Sequence, residues 1–318
     1  MENVQKLEPL DLLKMYGELS FEWSLDEDRI HWTGPVSRLI SPDIPLVSGG
    51  SYHNLLSIEA FEIRMRAIDE ARHHIDGVYV CQYALDLPHF EHTLVKEEGR
   101  LVFERGEPLY LKGSLRFLEN STSEKDQDQE SVLRHSGYDA LTGYPQKEVL
   151  YENLASLIEQ TAYSGISGAY LAVCIDRLTY LNAKYGYDVL KDLLKGASER
   201  LRQEIRFNDA IGRTSSSSFG VVLQDCDRWG IIRTADRLTR VIESVPIATS
   251  AGNINLCLSA GGLVFPDHQL TAEVVMLKAE QFLFEAQANK GIGASWTPYG
   301  ESVPAATPLN RAFTRRPL

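Results

Sequence analysis

Ala210-Ile-Gly-Arg-Thr-Ser-Ser-Ser-Ser-Phe-Gly-Val-Val-Leu223 sets two short apolar runs on either side of four consecutive serines. Serine hydroxyls compete for backbone hydrogen bonds and favour turns, whereas Ile, Phe, Val and Leu suit a buried strand, so the stretch reads as a β-hairpin with strands at 210–213 and 219–223. Just upstream, Val189, Leu190, Leu193, Leu194, Ala197, Leu201 and Ile205 recur at helical spacing and predict a long helix with one apolar stripe. Helices are expected at 146–161, 233–243 and 272–288, and strands at 169–175 and 254–265. Strands alternating with helices around a hairpin predict an α/β (α+β) domain with a mixed sheet flanked by helices.

The first 118 residues follow another pattern. Residues 21–32 alternate around a Glu27-Asp28 turn and read as a hairpin, and 58–74 read as a helix. Short alternating runs at 77–85, 92–95, 100–104 and 109–117 then read as strands parted by turns at Glu97-Glu98-Gly99 and Glu104-Arg105-Gly106. Between the two halves, residues 119–137 are almost free of apolar side chains and mark a polar linker. Two strands, small helices and three more antiparallel strands resemble a PAS sensor domain over residues 1–118. That resemblance implies a small ligand of unknown identity between sheet and helices. Six of the eight histidines lie in this half, and scattered surface histidines are the expected reading in preference to haem ligation.

Four elements of the second half, residues 138–297, resemble the GGDEF domain of diguanylate cyclases, and residues 298–318 read as a tail or linker. Asp139-Ala-Leu-Thr-Gly143 is similar to the element that opens such domains; Ile175-Asp176, Asn182 and Gly186 fall in the register of its D-I-D-x-F-K-x-x-N-D-x-x-G segment. Arg213-Thr-Ser-Ser-Ser-Ser-Phe219 stands where R-x-G-G-D-E-F would, and Leu258-Ser-Ala-Gly-Gly262 is similar to a further strand of the family. The family joins two GTP molecules into cyclic di-GMP with divalent ions at the hairpin, which needs carboxylates for metal, cations for phosphate and a polar pair for guanine.

By the same resemblance, the residues that would do this work are replaced. The first metal-binding aspartate corresponds to Cys174, and the acidic pair of the signature to Ser217 and Ser218; thiol and hydroxyl are poor donors for Mg²⁺, which prefers charged oxygen ligands. Ser215 and Ser216 replace the two glycines that admit the triphosphate. Thr179 and Gln287 replace phosphate-binding lysines, and Gly291 falls at the position of an arginine. Asn182 is retained, but its aspartate partner is Lys191, which cannot accept from the guanine N1 and N2 donors. Asn182 is therefore read as a polar residue ending a helical turn, Asp139 as a turn carboxylate pairing with Arg213, and the serine run as a solvated hairpin tip.

Arg206-Phe-Asn-Asp209 lies in the register of the R-x-x-D inhibitory site at which family members bind cyclic di-GMP. The spacing alone is unselective, since Arg66 to Asp69 and Arg233 to Asp236 share it. Position is what distinguishes Arg206 and Asp209, because the aspartate lies four residues before Arg213, the offset that the resemblance implies. A guanidinium can fork onto guanine O6 and N7 while a carboxylate accepts from N1 and N2; the other reading is a local ion pair.

The 318 residues carry a net charge of −12, which opposes nucleic-acid or anionic-membrane partners. No export signal and no apolar run long enough for a membrane span is read, so the expected location is the cytoplasm. The four cysteines Cys81, Cys174, Cys226 and Cys257 are widely spaced and read as free thiols, and neither cofactor nor metal is expected. Residues 10–16 could form an amphipathic helix that either mediates a homodimer or caps its own sheet. Together these features predict a non-catalytic cyclic di-GMP signalling regulator. The alternatives are the regulatory half of a GGDEF-EAL phosphodiesterase, a surviving cyclase, or a scaffold for a protein partner or effector domain.

Overall fold

A computed structural model of the chain describes residues 18–34, 46–87, 90–118, 137–265, 270–288 and 294–296. The expected helix at 10–16, the linker at 119–136, Gly291 and the tail beyond 297 lie outside the described residues.

The N-terminal sheet is antiparallel throughout, in the order β2-β1-β5-β4-β3. β1 (Glu18–Ser24) and β2 (Arg29–Thr33) form the expected hairpin. Two helices follow, α1 (Gly49–His53) and α2 (Ile58–Ala71), and the chain returns through β3 (Val78–Leu87), β4 (Phe90–Glu104) and β5 (Glu107–Phe117). β4 runs straight through Glu97-Glu98-Gly99, where a turn was expected: Gly99 pairs with both Tyr79 and Gly113. The physical reason is Glu97, a fully buried carboxylate. Arg64 of α2 forks onto it at 2.9 and 3.0 Å, and the hydroxyls of Tyr79 and Tyr83 donate to it as well. A charge inside a strand is stable only when its oxygens are fully bonded, and sequence alternation alone cannot reveal that partner.

The C-terminal domain holds a second five-stranded sheet, ordered β12-β11-β6-β8-β7. Its elements are α3 (Lys147–Ser164), β6 (Gly168–Ile175), α4 (Leu178–Tyr185), α5 (Tyr187–Glu204), β7 (Ala210–Arg213), β8 (Ser218–Leu223), α6 (Arg228–Glu243), β9 (Ile247–Thr249), β10 (Gly252–Ile254), β11 (Leu258–Phe265), α7 (Ala272–Ala288) and β12 (Ala294–Trp296). The strand expected at 254–265 is two pieces: β10 closes a small ribbon with β9, and β11 enters the main sheet antiparallel to β6. All eight residues of β6 and all six of β8 are buried, as central strands covered on both faces must be. α3 and α7 pack on one face with Leu150, Leu154, Val275 and Leu283. On the other face the apolar core continues without a break from α5 and α6 into the N-terminal sheet and its helices. The two domains therefore share one hydrophobic interior.

Candidate functional site

Asp139 opens the C-terminal domain with a turn built from its own side chain. One carboxylate oxygen accepts from the Thr142 amide at 2.8 Å and from the Thr142 hydroxyl at 2.5 Å. Gly143 follows with φ 67°, the left-handed conformation that glycine adopts without cost. The other oxygen accepts from Arg213 at 2.9 Å, so the expected pair is present, and both side chains are buried. Arg213 also donates to the carbonyls of Ser215 (3.2 Å) and Ser216 (2.8 Å). The guanidinium thus joins the opening turn to the serine hairpin.

The serine run is not a solvated tip. Ser216 and Ser217 are fully buried, and Ser215 and Ser218 nearly so. The Ser215 hydroxyl accepts from the amides of Ser217 and Ser218, and Thr214 and Ser215 both donate their amides to the Ser218 carbonyl. No residue of the turn has a positive φ, so the serines meet no backbone strain there. Across the sheet Cys174 pairs with Ser218 and donates its thiol to Ser217 Oγ at 3.5 Å. Burial, with a smaller contribution from Asp176, pushes the Cys174 thiol up to about 12, so it stays protonated. The two strands thus bring Cys174, Ser217 and Ser218 together as a neutral hydrogen-bonded cluster. Such donors suit neither the charge nor the octahedral oxygen shell of Mg²⁺. Among the described residues, no group of three or more His, Cys, Asp or Glu side chains is arranged to hold a metal ion.

The remaining pocket positions are spoken for. The Asn182 side chain is fully buried in the middle of α4 and donates to the Met65 carbonyl of α2 at 2.8 Å. Lys191 stands apart from it, on the outer face of α5, paired with Asp188 at 2.8 Å and lying over the Tyr187 ring. Thr179 bonds to His53 at 3.1 Å. His53 is itself buried between Trp23 and Phe61, which corrects the expectation that the histidines are all superficial; burial and the nearby Arg64 hold it well below the usual histidine range, hence neutral. Gln287 donates to Asp176 at 2.8 Å, and Asp176 also accepts from Ser259 at 2.6 Å. Burial pushes the Asp176 carboxyl up to about 7.

Arg206 and Asp209 lie where expected, in the turn between α5 and β7. The Asp209 amide donates to the Arg206 carbonyl at 3.1 Å, and one Asp209 oxygen accepts from the Gln224 amide at 3.0 Å. Arg206 is exposed, as are Phe207, the next residue in the chain, and Trp229 at the start of α6. This corner is open, charged and aromatic, the opposite of the serine pocket. The two aromatics passed unremarked in the sequence because their exposure, not their identity, is what distinguishes them. Asn54, Met65 and Asp69 were missed for a different reason: they lie more than a hundred residues from the groups they touch.

Residues 136–291 match the family model described as diguanylate cyclase, GGDEF domain. Among curated proteins, the chain is 26% identical over 47% of its length to an uncharacterized protein of Bacillus subtilis, YhcK, and 24% identical over 48% to the response regulator PleD of Caulobacter vibrioides. The matches span 42% and 34% of those relatives, so the chain covers less than half of either. A solved GGDEF domain from Pseudomonas aeruginosa, named TpbB or YfiN, superposes with a TM-score of 0.48 at 21% identity, covering 50% of this chain and 93% of that one.

Proposed function

Starting from a GGDEF domain at residues 136–291, we propose that this chain is a non-catalytic regulator in cyclic di-GMP signalling. The observation that carries the reading is the neutral cluster of Cys174, Ser217 and Ser218 at the positions where the family places metal carboxylates. Attack of a ribose hydroxyl on an α-phosphate develops negative charge that two metal ions must offset; here neither the ions nor the charge that would hold them has a donor set. Gln287 in place of a lysine removes a phosphate contact, and Asn182 spends its amide on Met65.

The N-terminal domain is read as a PAS-type input module, supported by its two strands, two helices and three antiparallel strands in the order β2-β1-β5-β4-β3. Cyclic di-GMP is the proposed ligand of Arg206 and Asp209, because that corner offers an exposed guanidinium and a carboxylate to a guanine edge. Among the described residues, no helix is long and apolar enough to cross a membrane.

Incubation of the chain with GTP and Mg²⁺ or Mn²⁺, with chromatography of the products, tests the reading. No cyclic di-GMP above a heat-killed control is expected; its formation would overturn the proposal.

A further inference from the structure

Six side chains around the serine pocket, Ser215, Ser216, Ser218, Thr179, Asn182 and Gln287, bond to the N-terminal domain. Asn54 Oδ1 accepts from Ser215 at 2.8 Å and from Ser218 at 3.2 Å, and the His53 carbonyl accepts from Ser216 at 3.4 Å. Thr179 meets His53, Asn182 donates to the Met65 carbonyl, and Gln287 Oε1 accepts from the Ser48 hydroxyl at 3.2 Å. Asp69 accepts from the Tyr187 amide at 3.1 Å, at the first residue of α5.

Two glycines allow this approach. A Cβ on Gly50 would lie 2.6 Å from Gln287 Nε2, and Gly186 holds φ +95° where a Cβ would meet Arg72 at 2.6 Å and Asp69 at 3.0 Å. The polar contacts sit on a continuous apolar interior shared by both domains. Buried hydroxyls and amides cost free energy unless they are bonded, so a pocket lined with serine, threonine and asparagine is stable only with an occupant that supplies donors and acceptors. Residues 48–69 supply partners to Ser215, Ser216, Ser218, Thr179, Gln287 and the Asn182 amide nitrogen, while the buried Asn182 Oδ1 has no partner among the described residues.

We infer that the pocket has changed its ligand. The surface that the resemblance assigns to guanine nucleotide is, in this chain, a docking socket for α1 and α2 of its own N-terminal domain. This rests on the non-catalytic reading and deepens it: the residues read as replacing metal and phosphate ligands also form the complement to Ser48, His53 and Asn54. Any change in the N-terminal domain that shifts α1 or α2 then moves the serine hairpin and Asn182 directly, without passing through the polar linker.

Amide hydrogen exchange on the full chain, read by mass spectrometry, tests the socket. In the wild type, peptides covering 178–187 and 214–219 are expected to be as protected as β6, and millimolar Mg²⁺-GTP is expected to leave their exchange unchanged. Asn54→Arg places a bulky cation against Ser215 and Ser218 and should speed exchange in both peptides at least tenfold, leaving β6 protected. Fast exchange at 214–219 in the wild type would overturn the inference, as would slowing by Mg²⁺-GTP or an Asn54→Arg chain with unchanged exchange. If Asn54→Arg does not fold, the wild-type measurements with and without nucleotide decide alone. Product assays separate the two claims: a protected socket in a chain that makes cyclic di-GMP would sink the non-catalytic reading, whereas an exchanging socket in an inert chain would sink only the socket.

Discussion

The serine pocket and the Arg206 corner belong to the same domain, yet they have opposite physical characters. The pocket is buried, neutral and bonded to the chain's own N-terminal helices. The corner is exposed and charged, with Phe207 standing in solvent next to Arg206 in the chain. The contrast teaches that a pocket of neutral hydroxyl and amide groups can be occupied by the chain's own helices. Buried polar groups are costly unless bonded, and here residues of the N-terminal domain bond most of them, whereas the Arg206 side chain is exposed to solvent.

Equivalent arginine substitutions on the two sides should expose the contrast most strongly. Arg213→Met removes the cation that satisfies buried Asp139 and ties down the carbonyls of Ser215 and Ser216. Breaking one side of a buried pair costs about 3–5 kcal/mol, so urea denaturation should show a loss of that size. Arg206→Ala, at the open corner, should change stability by about 0.5 kcal/mol or less. Equal losses would erase the distinction between sealed and open sites.

In ligand binding the order reverses. Arg206→Ala should weaken cyclic di-GMP binding by about 2 kcal/mol, the value of a charge-assisted contact, in a fluorescence or calorimetric titration. Ser217→Ala should leave that affinity unchanged, because its hydroxyl faces Cys174 inside the sealed pocket. An effect of Ser217→Ala on binding would mean the two sites are not separate.

A smaller effect concerns pH. The Asp176 carboxyl, raised to about 7 by burial, binds a proton in the folded chain that the unfolded chain has released. Its contribution to stability is complete below the ordinary carboxylate range and is lost as pH rises toward 7. Asp28, raised by burial, and Glu243, raised by burial, act with the same sign nearby. Asp176→Asn should therefore shrink the fall in stability between pH 5 and pH 8 relative to wild type. Identical pH profiles would show that the carboxyl is ionised throughout.

Much of this was legible in the residues. Helical and strand periodicity located α2, α5, α7 and the 210–223 hairpin, because each buries one apolar stripe or alternates across a sheet. Asp139 and Arg213 were legible as a pair from their motif positions. Glu97 was not, since a buried charge inside β4 looks like a turn until Arg64, Tyr79 and Tyr83 are seen around it. The serines misled for a related reason. Hydroxyl-rich runs usually face water, and only Asn54 and His53, some 160 residues away in the chain, explain why these do not.

The most direct test of the account is a calorimetric titration of the full chain with cyclic di-GMP and, separately, with Mg²⁺-GTP. The account predicts saturable micromolar binding of cyclic di-GMP, about −8 kcal/mol, and no saturable heat with GTP. Saturable GTP binding, or silence with both ligands, would contradict it.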